Sequence, residues 1–113
     1  MSSFETRDEH SRAELRPLRV AVRREDVYAE ARTMVADLAL WKLVRADDER
    51  LELLCERAAG FLGRPARVTI RIEGPDGIPT ASVHVRSQTD GGWLARDKAN
   101  VREFLEPFSR RVG

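Results

Sequence analysis

The stretch Ala66-Arg67-Val68-Thr69-Ile70-Arg71-Ile72-Glu73 alternates between apolar and polar side chains. Of all features in this chain, it most constrains the fold. Successive side chains on a strand point to opposite faces, so a period of two marks a sheet with one buried face and one wet face. Gly74-Pro75-Asp76-Gly77 follows. Pro presets φ and Gly supplies φ > 0, which is what a turn requires. Ala81, Val83 and Val85 then alternate with Ser82, His84 and Arg86. The two runs predict an antiparallel hairpin with Arg67, Arg71, His84 and Arg86 together on its polar face.

The same pattern reading covers most of the remaining chain. Leu18, Val20 and Val22 alternate with Arg19, Ala21 and Arg23 and predict a strand. Val27, Ala31, Met34, Val35 and Leu38 fall on one helical face, and Glu25 and Asp26 suit that helix's positive N-terminal end. Trp41–Arg45 and Leu51–Arg57 read as a hairpin around a polar turn, with a single helix over residues 47–59 as the competing reading. Asn100 followed by Glu103 resembles a capping box. It opens a helix with Val101, Phe104, Leu105, Phe108 and Val112 on one face and Pro107 as a kink or early stop.

The expected fold is therefore α+β: an antiparallel sheet of about five strands with two helices on one face, in the order strand, helix, four strands, helix. At 113 residues a single domain is expected over residues 17–113. Residues 1–16 are rich in charge, with Phe4 as the large apolar residue of Ser2–Glu14, and are expected to form a flexible tail.

Charge narrows the function classes. There are 20 basic and 19 acidic side chains, for a net charge of +1, and 18 of the basic residues are Arg. Near-neutrality gives no strong overall pull on phosphate, so no nucleic-acid partner is indicated. No run of about 18 apolar residues is present, so no membrane span is expected. The charged N-terminus lacks the apolar stretch of a secretory signal, and the single cysteine, Cys55, allows no internal disulfide. A cytoplasmic protein is the expectation.

No constellation points to an enzyme. His84 has no partner at useful spacing, and His10 lies in the tail. Cys55 sits in an apolar strand pattern and reads as a buried hydrophobe. No Cys/His spacing suits zinc, Asp47-Asp48-Glu49 reads as an acidic turn, and Gly91-Gly92 lacks the rest of a phosphate cradle. No metal or cofactor is expected. The polar face bearing Arg67, Arg71, His84 and Arg86 reads either as a platform for an anionic partner or as a solvated face with ion pairs to Glu52 and Glu56. Trp93 and Leu94, beside two glycines, read as a cap on the core or an exposed contact.

The segment Val83-His84-Val85-Arg86-Ser87-Gln88-Thr89-Asp90-Gly91-Gly92, with Asp97 and Asn100 beyond it, resembles the bacterial domain-of-unknown-function family 1499. Arg86, Ser87, Gly92, Asp97 and Asn100 match that family's residue types; Thr89 replaces a usual Ser, Asp90 a usual Arg and Lys98 a usual Gly. The resemblance covers about a quarter of the chain and implies no reaction, since the family has no established activity. Read physically, Trp93 aside, the motif is structural: Arg86 would pair with Asp97, and Asn100 would cap the helix.

Two functions follow as expectations. The first is a non-catalytic binding or protein-interaction domain, using the sheet face or an edge, with self-association as a homodimer included. The second, by analogy with helix-grip folds, is a carrier holding a small apolar ligand between the sheet and the long helix.

Overall fold

The computed structural model describes residues 2–59, 65–90 and 96–112. The alternating runs form strands as their period requires. β1 is Ser2–Glu5, β2 Leu18–Val20, β3 Trp41–Asp47, β4 Glu52–Arg57, β5 Ala66–Glu73 and β6 Ala81–Thr89. Two helices, α1 (Arg24–Asp37) and α2 (Asp97–Val112), complete the α+β fold. All pairings are antiparallel, and β6, β5, β4 and β3 lie side by side in that order.

Both β1 and β2 pair with the free edge of β6. Ser2 faces Thr89 and Glu5 faces Arg86, while Leu18 faces Val83 and Val20 faces Ala81. The sheet thus has six strands rather than about five, and the first two share one edge.

That arrangement corrects the expected flexible tail. Residues 2–5 are a strand, Thr6 is buried, and a 3-10 turn at Ala13–Leu15 places Leu15 fully inside the core. Thr6 exchanges two hydrogen bonds with Val85: its N–H donates to the Val85 carbonyl, and its Oγ1 accepts from the Val85 N–H. Strand pairing and burial of Leu15 offset the ordering entropy that a tally of Ser2–Glu14 alone leaves unmet.

The core lies between the helices and one face of the sheet. Val68, Ile70, Val83 and Val85 from the central hairpin meet Val27 and Val35 of α1 and Val101, Phe104 and Phe108 of α2, all fully buried. Each such side chain is worth about 1.5–3 kcal/mol relative to exposure. Leu38, on the predicted apolar face of α1, is only partly buried, because α1 ends at Asp37. The hairpin reading of residues 41–57 holds. Asp47 faces Glu52 across the β3–β4 turn, and Leu43 to Arg45 carries a bulge at Val44. α2 runs through Pro107 to Val112 without stopping.

Candidate functional site

The register brings the predicted sheet-face residues together. Arg71 faces His84, Thr69 faces Arg86, and Arg67 faces Gln88. Acidic neighbours sit on the same face: Glu56 lies between Lys42 and Arg67, Glu52 faces Arg71, and Glu5 faces Arg86. Acidic and basic side chains are therefore mixed on this face. Arg71 Nε donates to Glu73 Oε1 at 2.8 Å, and His84 Nε2 stands 3.3 Å from Glu73 Oε2. His84 thus has a carboxylate partner that sequence spacing did not reveal. His84 and Arg71 line a shallow hollow of about 280 Å³ beside Glu5, Glu52 and Arg86.

The loop motif divides in two. Arg86 is exposed on this polar face, whereas Ser87 and Thr89 face the helices and are buried. Asp97 and Asn100 are buried beside them. Ser87 Oγ and Thr89 Oγ1 donate to Asp97 Oδ1 at 2.6 and 2.7 Å, and Ser2 Oγ donates to Asp97 Oδ2 at 2.6 Å. Asn100 Nδ2 donates to Ser87 Oγ at 3.2 Å.

The expected Arg86–Asp97 pair therefore does not form. β6 continues to Thr89, and alternation sends Arg86 to the face opposite Asp97. Nor does Asn100 cap α2. The helix begins three residues earlier, and the Asn100 N–H already donates to the Arg96 carbonyl within the first turn. Gly92, Trp93 and Leu94 lie outside the described residues.

A second polar anchor holds α2. Arg57 Nε and Nη2 donate to the two carboxylate oxygens of Glu103 at 2.8 and 2.9 Å, and Trp41 Nε1 also donates to Glu103. The Arg57 guanidinium, aided by Trp41, outweighs burial and lowers the Glu103 pKa. Ser2, Thr89, Ala66, Arg57 and Trp41 form one lateral row across five strands. Asp97 and Glu103 are about 9 Å apart along the helix, and the nearest row members they bind, Thr89 and Arg57, are two strands apart, about 9.6 Å.

Cys55 is fully buried, and burial pushes its thiol up to about 12, which suits packing rather than nucleophilic attack. Among the described residues no group of three or more His, Cys, Asp or Glu is placed to hold a metal. No described helix is long and apolar enough to cross a membrane.

One cavity among the described residues was not legible in the sequence. It is an open crevice of about 1000 Å³ where β2 and the 3-10 turn meet the flank of α2. Pro17, Leu18 and Leu105 supply its apolar surface, and Arg16, Arg19 and Arg102 line its walls with Asp8, Glu14 and Glu106. The predicted tail contributes Asp8, Ala13, Glu14 and Arg16 to it. No periodicity joins that tail to a helix flank some 90 residues away, so local pattern carries no signal for the site.

No family model matches the chain, and no curated protein matches it in sequence. Among solved structures it is similar to the di-domain ARO/CYC BexL from the BE-7585A biosynthetic pathway, at 14% identity and a TM-score of 0.53. The similarity covers 99% of this chain and 41% of that protein, so this chain spans less than half of that protein's length. At that identity the likeness is one of fold.

Proposed function

We propose that this chain is a non-catalytic binding domain that takes a small, partly apolar molecule between β2 and α2. The observation that carries this reading is the crevice of about 1000 Å³ with Pro17, Leu18 and Leu105 on its surface and polar groups at its walls. Small-molecule sites combine an apolar concavity with a few orienting polar groups in this way. The fold likeness to the ARO/CYC protein BexL supports it, since that protein is named for a biosynthetic pathway. The crevice opens at the sheet's edge because side chains such as Val68, Val85 and Phe104 occupy the space over its centre.

A non-catalytic role is supported by the chemistry of the two candidate nucleophile and base residues. Cys55 is buried and protonated, and His84 with Glu73 stands on the open sheet face, away from the crevice. The polar sheet face suits solvation better than capture of an anion, because Glu5, Glu52 and Glu56 stand opposite its arginines.

The test is a titration with the neutral fluorescent probe N-phenyl-naphthylamine. Ala13 is exposed and lines the crevice, so Ala13→Trp should fill the space without touching the core. The native protein should show saturable fluorescence enhancement, and Ala13→Trp should weaken it by about tenfold or more at unchanged melting temperature. No saturable binding, or equal binding in the variant, sinks the reading.

A further inference from the structure

The crevice walls hold three arginines, and their surroundings differ. Arg16 donates through Nε to the His10 carbonyl at 2.5 Å and through Nη2 to the Ser11 carbonyl at 3.3 Å. Arg19 donates to Asp8 Oδ1 at 2.7 Å and to Ser82 Oγ at 3.4 Å. Both guanidinium groups are engaged within the fold. Arg102 is half-buried on the flank of α2 and, among the described residues, makes no ion pair or side-chain hydrogen bond.

Three acids line the crevice beside its three arginines, and Glu14 feels the charge of Arg102, but among the described residues none forms an ion pair with Arg102. Asp8 is taken by Arg19, and Glu14 pairs with Arg12 at 2.6 Å. Glu106 is exposed one turn along the helix and is not among the partners within 4.0 Å of any described cation. Arg96 and Lys98 share with Arg102 the neighbouring hollow at the start of α2, where the carboxylate of Asp97 already accepts three hydroxyl donors. In that hollow three cations, Arg96, Lys98 and Arg102, stand against one carboxylate, so the charge beside Arg102 on that side is positive.

Resting on the ligand-binding reading above, we infer that Arg102 is the anchor of the crevice and that its ligand is an amphipathic anion. The acidic head, a carboxylate or sulfonate, meets the Arg102 guanidinium, whose planar fork suits two-oxygen acceptors. The apolar body lies against Leu18, Pro17 and Leu105. A half-buried guanidinium at an apolar wall is worth more to an anion than one in open water, because the local dielectric is lower.

Two probes with one carbon skeleton separate this inference from the broader reading. Anilinonaphthalene sulfonate carries an anionic head, and N-phenyl-naphthylamine lacks it. The native protein should bind the sulfonate more tightly than the neutral probe, with an advantage that shrinks as salt is added. Arg102→Gln should weaken the sulfonate by about tenfold and leave the neutral probe unchanged. Arg102→Lys should restore part of the loss. Equal binding of both probes, or a sulfonate affinity indifferent to Arg102→Gln, overturns the anchor while leaving the crevice reading intact. Failure of both probes to bind the native protein overturns both.

Discussion

Thr89, the last residue of β6, donates its hydroxyl hydrogen to Asp97 Oδ1 at 2.7 Å and ties the end of the last strand to the first residue of the last helix. Thr89→Val keeps the shape and removes that donor, while Asp97→Asn removes the charge that three hydroxyls serve. Each should cost about 1–3 kcal/mol, the usual penalty for unpairing a buried polar group. Combined, they should lose less than their sum by about 0.5–3 kcal/mol. Arg86→Ala combined with Asp97→Asn should be additive within about 0.5 kcal/mol, since the two side chains face opposite ways. Denaturant unfolding of the three single and two double variants reads both cycles; additivity of Thr89 with Asp97 would contradict the network.

The Glu103–Arg57 pair should show in acid. Arg57 holds the Glu103 carboxyl below its ordinary 4.5, so folding favours the charged form. That stability is fully present above about pH 4.5 and is lost as pH falls through the lower folded value. Glu103 is partly exposed, so Glu103→Gln should cost only about 1 kcal/mol at pH 7. The gap between native and variant stability should then narrow as pH falls below 4.5. A gap that stays constant from pH 7 to pH 3 would show that the charge contributes nothing.

Tyr28 is the only tyrosine, so its ionisation can be read directly by ultraviolet absorbance. Burial, reinforced by donation to Asp48 Oδ1 at 2.7 Å, pushes its hydroxyl from 10.0 up to about 12. The folded protein favours the protonated phenol, so this contribution is complete below pH 10 and lost as pH rises toward 12. Asp48→Asn should lower the midpoint but leave it above 10, because desolvation remains the larger cause. A midpoint near 10 in the folded native protein would contradict the burial of Tyr28.

The β5–β6 connection depends on two glycines for different reasons. A Cβ on Gly74 would stand 2.6 Å from the Thr80 carbonyl oxygen, so Gly74→Ala forces the backbone apart. Gly77 has open space but φ of +73°, a conformation costing an ordinary residue about 1–2 kcal/mol. Thermal melts should rank Gly77→Asn as milder than Gly77→Val, since Asn tolerates the left-handed region. At position 74 that ranking should vanish and both variants should be destabilised. Equal costs for Asn and Val at position 77 would point away from a conformational origin.

The sequence by itself determined which side chains each element buries. Alternation in Ala66–Ile72 and the helical stripe of Val101, Phe104, Leu105 and Phe108 each depend on geometry within a few residues, and each holds in the structure. The tertiary structure alone decided who meets whom. Ser87 and Thr89 were visible as part of a motif, yet alternation past Arg86 turns them inward, and Asp97 joins them instead of Arg86. Ser2–Glu5 and Leu15 look like a charged tail until the open edge of β6 and the flank of α2 supply partners. The crevice exists only because that segment docks some 90 residues away in sequence from Arg102. Local periodicity follows from backbone geometry, whereas strand register and helix docking balance many weak distant contacts against chain entropy, and no short window of residues contains both sides of that balance.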